Sequence, residues 1–161
     1  MFKQDDFVVH SGHGLCTVLE VNMTDEYYRL ETYHNKMSIK MPLEKAGLFL
    51  RPMLDKTAIL KAINDSILLS DEYIKDNKER KVQFQALVVS NNIMDTLLLL
   101  KLLYRITEDK KAEKKTLGSF DTQFLQQAER KLFNEIAVAL HLSKEEAKSL
   151  VLERLKSQPV Y

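Results

Sequence analysis

The stretch FVVHSGHGLCTVLEV, residues 7–21, decides how the N-terminal third of the chain folds. Its two ends, FVVH and LCTVLEV, are rich in valine and leucine and in part alternate between apolar and polar side chains, which is typical of short β-strands. Between them lie Gly12 and Gly14, and two glycines around one residue allow the positive φ angles of a tight turn. We therefore predict two antiparallel strands joined by a turn.

The β-type pattern continues in YYRLETY (residues 27–33) and MSIKM (residues 37–41). Polar breaks separate these segments at the spacing of an antiparallel meander. Pro42 ends the last strand, because proline cannot donate a hydrogen bond to a neighbouring strand. A module as small as residues 1–52 is expected to be a tightly curled sheet or barrel.

After Pro52 the apolar period becomes helical, which predicts an all-α bundle of about five helices over residues 53–161. Asp55 is suited to cap the first helix, and SKEE at residues 143–146 is a capping-box sequence that opens the last one. The predicted helical segments are residues 55–69, 71–90, 92–107, 120–142 and 144–155. The chain is thus expected to be an α+β protein, with a small β module followed by a helical domain.

Composition excludes several classes of protein. The 161-residue chain is 45% hydrophobic and 29% charged, which is typical of a soluble globular protein rather than a disordered one. Asp5 and Asp6 lie where a secretory signal would be apolar. The most apolar segment, residues 96–104, contains Lys101 and is too short to span a bilayer. We therefore expect a cytoplasmic protein that does not associate with membranes, and a single cysteine fits a reducing compartment.

The residues His10, His13 and Cys16 have a spacing that resembles half of a zinc site. A structural zinc ion needs four ligands, and the chain offers only His34 and His141 in addition, with no second cysteine. Cys16 lies inside an alternating strand, where a small apolar residue usually packs. No paired carboxylates, catalytic triad or cofactor fingerprint is present, so we expect a non-enzymatic protein without metal, cofactor or small-molecule substrate.

Two basic runs lie in the helical half: KDNKERK (residues 75–81) and DKKAEKK (residues 109–115). Each could contact the phosphates of a nucleic acid. Each also contains acidic residues, and a solvated helix face explains such runs equally well. The net charge of +1 does not decide between these interpretations.

Residues 2–53 resemble the N-terminal module of the CarD/CdnL family of bacterial transcription regulators, a module that transcription-repair coupling factor shares. The chain departs from the family pattern at Asp5, where the family has glycine, and at His10-Ser11, where it has Tyr-Pro. The matching positions are Asp6, Val8, Val9, Gly12, His13, Gly14, Val18, Tyr28, Leu30, Pro42 and Arg51. In the helical half, Leu125, Ala128, Leu132, Glu135 and Ala137 follow a helix pattern of the same family.

This resemblance implies a Tudor-like or SH3-like module that binds the β subunit of RNA polymerase by adding a strand edge to a lobe of that subunit. The strand at residues 37–41 is our choice for that edge, and Lys40 occupies a basic position of the family. The implied polymerase contacts are Arg29, Ile39, Lys40, Met41 and Arg51.

The resemblance also implies that the helical domain contacts upstream promoter DNA and stabilises the open complex. Family members insert a tryptophan into the minor groove, just before a basic pair. This chain has no tryptophan, and residues 76–81 read DNKERK at that place. The expected contacts to the DNA backbone are Lys78, Arg80, Lys81, Lys110, Lys111 and Lys114.

Two functions follow from these observations. The first is a transcription regulator that docks on RNA polymerase and contacts promoter DNA through its phosphates. The alternative is an adaptor that keeps the polymerase-binding module while its helical domain binds another protein instead of DNA, and the missing tryptophan favours it. A metal or thiol enzyme built on His10, His13 and Cys16 ranks far below both.

Overall fold

The five strands of the N-terminal module form one antiparallel sheet in a computed structural model, which describes residues 1–156. The strand order is β4-β3-β2-β1-β5, so β4 and β5 are the two edge strands. The strands are β1 Phe7–His10, β2 Gly14–Asn22, β3 Tyr27–Thr32, β4 Ser38–Pro42 and β5 Leu50–Pro52. The helices that follow give the α+β fold predicted from the sequence.

One face of the sheet carries the core of the module. Alternate residues point inward, as the pleat requires, and these inward side chains are buried. The pairing of β2 with β3 shifts register between Val18 and Glu20, an irregularity that increases the twist of a sheet. The module core consists of Val8, Cys16, Val18, Tyr28, Leu30, Met41, Ala46 and Leu50.

The turn between β1 and β2 uses only one of its two glycines in the way predicted. Gly14 has a φ of +76°, whereas Gly12 is not among the residues with positive φ. A Cβ atom on Gly14 would lie 3.2 Å from the Cα atom of Lys131, so this position also permits close approach to a helix. The β1–β2 turn is therefore a point of contact between the module and the helices.

Six α-helices complete the fold of residues 1–156. They are α1 Ala46–Phe49, α2 Lys56–Asp65, α3 Asn77–Val89, α4 Ile93–Ala112, α5 Ser119–Leu140 and α6 Lys144–Leu155. Short 3₁₀ turns lie at Leu43–Lys45 and Ser66–Leu68. Among residues 1–156, no helix combines the length and the hydropathy that crossing a membrane would require.

The predicted helix caps are confirmed. The side chain of Asp55 accepts a hydrogen bond from the backbone N–H of Ala58. At α6 the hydroxyl of Ser143 accepts from the N–H of Glu146 (3.0 Å), and the carboxylate of Glu146 accepts from the N–H of Ser143 (2.9 Å). Both bonds of a capping box are therefore present.

Predicted helix boundaries differ from the structure at two places, and two short elements were not predicted. The helix expected from residue 71 begins at Asn77, because the side chain of Asp76 accepts from the N–H of Glu79 and caps the helix there. Helix α4 continues to Ala112, beyond the predicted end at residue 107. Strand β5 and helix α1 were not predicted, since segments of three and four residues show no periodicity.

A second apolar core lies among the long helices. Helix α4 is buried on most sides, and α5 carries a buried apolar stripe. In α2, Ile59 and Ile63 are buried, but Ile67 falls in the 3₁₀ turn after the helix ends. The stripe on α5 consists of Phe124, Ala128, Leu132 and Ile136.

Candidate interaction surfaces

The edge strand β4 presents main-chain groups for which residues 1–156 supply no further strand. It pairs with β3 on one side, and the strand order places no strand on the other. Met41 points into the core with 7% of its surface exposed, and Ile39 is half-buried on the same face. The prediction that the Met41 side chain contacts the polymerase therefore needs correction, because that side chain fills the module core. What β4 can offer a partner is its backbone and the side chains of its outer face.

The outer face next to this edge carries two basic side chains. Lys40 of β4 lies directly opposite Arg29 of β3 in the strand pairing. Opposed like charges destabilise a sheet, and two neighbours offset part of this repulsion. Nε of Arg29 lies 3.3 Å from a carboxylate oxygen of Glu20, and Nζ of Lys40 lies 4.1 Å from the centre of the Tyr27 ring. All of these groups remain accessible to a partner.

Arg51 faces the helices instead of a partner. Its guanidinium forms a bidentate ion pair with Glu135 of α5, with both N–O distances at 2.7 Å, and its Nε donates to the carbonyl of Asn91. The carboxylate of Glu135 is buried and also accepts from the backbone N–H of Leu54. We therefore correct the expectation that Arg51 binds the polymerase, since its side chain joins the module to the helical domain.

Lys131 of α5 makes a second junction between the two parts. Its ammonium donates to the carbonyl oxygens of Ser11 (3.0 Å) and Ser90 (2.5 Å), with that of Val88 at 3.4 Å. Burial, and then the positive charge of Arg51, lower the pKa of Lys131 to about 8. Sequence reasoning missed Lys131 and did not assign a contact to Glu135. The available signal was that each of these charged residues directly precedes a residue of the apolar stripe on α5, Leu132 or Ile136.

Asn91, in the linker between α3 and α4, completes this junction. Its side-chain amide donates to the carbonyls of Val9 (2.9 Å) and Phe49 (3.1 Å). We call the contacts made by Arg51, Asn91, Lys131 and Glu135 the interdomain junction. These contacts tie the β1–β5 side of the sheet to the helices.

The predicted DNA contacts divide into exposed and buried residues. Lys78 and Lys81 are exposed on α3, whereas Arg80 is 6% exposed. The Arg80 guanidinium forms an ion pair with Asp121 (3.0 Å) and lies over the ring of Phe120. The prediction that Arg80 contacts phosphates therefore needs correction, because its charge is already paired inside the helical domain.

The fold brings the two basic runs together. The hydroxyl of Tyr73 donates to the carboxylate of Asp109 (2.7 Å), and this hydrogen bond lowers the pKa of Asp109. A groove of about 170 Å³ lies beside that bond and includes Lys75 from the first run with Lys110 and Glu113 from the second. Lys111 and Lys114 are exposed at the end of α4 and just beyond it. Lysines from both runs thus occupy one end of the helical domain.

The histidine and cysteine side chains near the first turn have structural roles. Nδ1 of His10 accepts hydrogen bonds from the backbone N–H groups of Gly12 (2.9 Å) and His13 (3.1 Å), which holds the turn. Burial raises the pKa of the Cys16 thiol to about 12, so this thiol is protonated at neutral pH. Within residues 1–156, no three His, Cys, Asp or Glu side chains are grouped so that they could hold a metal ion.

The β module is antiparallel, has β4 as an edge strand and is joined to a helical domain. Residues 2–54 match the family model described as the CarD-like/TRCF RID domain, where TRCF is transcription-repair coupling factor. The resemblance seen in the sequence is thereby confirmed for the β module, which matches the RNA polymerase-interacting domain that CarD-like proteins share with transcription-repair coupling factor. This family is not known as enzymatic.

The match covers about a third of the chain, and most of the helical domain lies outside it. No curated protein matches the chain. The domain implies RNA polymerase as a partner.

Proposed function

We propose that the protein is a transcription regulator that binds the β subunit of RNA polymerase through strand β4 and contacts upstream promoter DNA through its helical domain, which modulates the stability of the open complex. The observation that carries this proposal is the open β4 edge with its two exposed basic side chains. The CarD-type domain supplies the polymerase as the partner.

Strand addition explains how such a module binds without a pocket. An extended segment of the partner pairs with the free N–H and C=O groups of β4, and these main-chain bonds provide much of the affinity. Specificity then depends on nearby side chains. Because Lys40 and Arg29 repel each other across the strand pair, an acidic partner segment relieves that repulsion and is favoured over a neutral one.

The DNA contacts in this proposal are made by lysines alone. Lys78 and Lys81 on α3 supply one group, and the run at the end of α4 supplies Lys110, Lys111 and Lys114. Contacts of this kind neutralise phosphates without reading base sequence. The interdomain junction supports a mechanism in which docking of the module fixes the position of these lysines over the DNA next to the polymerase.

A second candidate function is an adaptor whose helical domain binds another protein. Two observations favour it. Val82, beside Lys81 on α3, is 70% exposed and apolar. Asp109 and Glu113 line the groove where the basic runs meet, and their charge would repel DNA phosphates.

The polymerase contact is tested by measuring the affinity of the full chain for the isolated lobe of the β subunit. Lys40→Glu should weaken binding by at least about tenfold, because it places a carboxylate against the proposed acidic segment. Lys56→Glu is the matched control: it makes the same change of charge at an exposed residue of the helical domain. Equal affinities for the two variants, or no binding by the wild type, would contradict the proposed contact.

The DNA contact is tested on the complex of polymerase with promoter DNA. The double change Lys78→Ala and Lys81→Ala should lower DNA affinity and reduce its salt dependence, since each removes a phosphate contact. The number of base pairs that are melted upstream of the transcription start site gives a second measurement. An unchanged affinity with intact polymerase binding would favour the adaptor.

A further inference from the structure

A groove of about 510 Å³ lies where the β3–β4 turn meets helices α5 and α6. It shares no lining residue with β4, the interdomain junction or the basic end of the helical domain. Its charged and titratable lining residues are His34 from the turn, Glu129 and Arg130 from α5, and Lys144, Glu145 and Lys148 from α6. Its volume is within the range of about 300–1,000 Å³ that small-molecule sites occupy.

Two of the cations in this groove form no ion pair with the residues that the structure describes. Lys148 forms an ion pair with Glu129 at 3.1 Å. Arg130 is half-buried and Lys144 is exposed, and neither forms an ion pair or a side-chain hydrogen bond within residues 1–156. A half-buried guanidinium without a partner is unfavourable, because it loses hydration and gains no hydrogen bond.

Both cations act on the histidine of the turn. The pKa of His34 is lowered by partial burial and then by the positive charges of Arg130 and Lys144. The three side chains line the same groove, although they come from three different elements. The arrangement places two positive charges and a neutral imidazole, which can donate a hydrogen bond, around one space.

We infer that this groove binds the phosphate group of a small phosphorylated ligand of about nucleotide size, held by Arg130 and Lys144 with His34 beside them. A guanidinium can donate two parallel hydrogen bonds to a phosphate. Lys144, the first residue of α6, adds a second positive charge to the same groove. The function proposed above uses none of these residues.

The acidic residues of the groove favour a compact ligand over a nucleic acid. Glu129 and Glu145 line the same space, and their charge would repel an extended chain of phosphates. A ligand with a single phosphate and several hydroxyl or amino groups suits both the cations and the carboxylates of the groove. Its phosphate binds the cations, and its hydroxyl or amino groups can donate hydrogen bonds to the carboxylates.

The experiment follows the imidazole resonances of His34 in the full chain by NMR, during titration with adenosine monophosphate, inorganic phosphate and a short DNA duplex. Adenosine monophosphate should bind saturably and raise the pKa of His34, because its phosphate offsets the two cations. Arg130→Ala should weaken this binding by at least about tenfold, as expected for the loss of a charge-assisted bidentate contact. Lys144→Ala, at an exposed position, should weaken it as well and keeps the test valid if Arg130→Ala does not fold.

Two controls separate this site from the DNA surface. Without ligand, Arg130→Ala should itself raise the pKa of His34, which reports that the two side chains face each other. The variant Lys78→Ala with Lys81→Ala should bind adenosine monophosphate as the wild type does, whatever its affinity for DNA.

Four outcomes would overturn the inference. The first is that adenosine monophosphate does not bind saturably at millimolar concentration, and the second is that Arg130→Ala and Lys144→Ala leave its binding unchanged. The third is that inorganic phosphate and the nucleotide bind with equal affinity. The fourth is that only the duplex saturates the groove. The last would assign the groove to DNA, and the others would leave the polymerase and DNA contacts of the proposed function unaffected.

Discussion

The two sides of the β-sheet differ in what they contact. On the β4 side the strand edge is open, and its outer face carries two opposed basic side chains. On the β1–β5 side, carbonyl groups of the module accept hydrogen bonds from Asn91 and Lys131, which belong to the helical half. Because residues of the helical half already bind carbonyl groups on the β1–β5 side, we expect an added strand at β4. Changes on the junction side should therefore act on stability, and changes on the β4 side should act on binding.

The largest effect is expected at Glu135. Glu135→Ala removes the buried partner of Arg51 and the acceptor for the N–H of Leu54. Breaking a buried ion pair from one side costs about 3–5 kcal/mol, and partial exposure of Arg51 points to the lower end of that range. Urea denaturation of the full chain measures the loss. Asp65→Ala, which breaks an exposed ion pair with Lys61, should change the midpoint little. A comparable loss of stability in both variants would show that the buried ion pair contributes no more to the free energy of unfolding than the exposed one.

The pH dependence of stability tests Lys131. The pKa of Lys131 is about 8 in the folded chain and near 10.5 when the side chain is exposed. Between these values the unfolded state binds more protons, so the free energy of unfolding should rise with pH. The slope from this group is at most about 1.4 kcal/mol per pH unit. Below pH 8 the group is protonated in both states, so its burial disfavours folding there by a constant amount.

The control for this pH effect is Lys131→Met, which removes the titrating group and keeps the other titrating residues. The difference between wild type and variant should therefore increase from about pH 8 towards pH 10.5. A difference that stays constant over this range would show that Lys131 is not buried in solution.

A smaller effect is expected where the β1–β2 turn touches helix α5. Gly14→Ala combines an unfavourable φ of +76° with a Cβ atom 3.2 Å from the Cα atom of Lys131. Together these should lower the free energy of unfolding by about 1–3 kcal/mol. The neighbouring Gly12→Ala is a matched control, since the nearest atoms lie 3.6 Å from its added Cβ. Equal effects of the two changes on the thermal midpoint would contradict this account of the contact.

Local features of the fold were predictable from the sequence, and long-range polar contacts were not. The caps at Asp55 and Ser143 depend on residues three positions apart, and the main strands depend on alternation over a few residues. Arg51 and Glu135 are 84 positions apart, and nothing in their local sequence indicates that they meet. The same is true of Arg80. Its place in a basic run predicts an exposed charge, but in the structure it forms a buried ion pair with Asp121.

The sequence pattern also did not predict the backbone conformation of Asp5. The resemblance places a glycine at this position, and the chain has an aspartate. Asp5 has a φ of +72°, the left-handed region that glycine favours and that aspartate tolerates better than most residues. The aspartate therefore adopts a backbone conformation that is typical of glycine.

The smallest effect on stability is expected on the open side of the sheet, at Lys40. Lys40→Glu replaces a like-charge pair with Arg29 by an opposite-charge pair, and it loses the contact of Lys40 with the ring of Tyr27. Each contribution is about 0.2–1 kcal/mol and they have opposite signs, so the free energy of unfolding should change by less than about 1 kcal/mol.

Affinity for the polymerase lobe should fall in the same variant. Urea denaturation and lobe binding, measured on one preparation, therefore separate the two sides of the sheet: Glu135→Ala lowers stability, and Lys40→Glu lowers binding while stability is kept. A large loss of stability with Lys40→Glu would show that the outer face of β4 holds the module together and is not free to bind a partner.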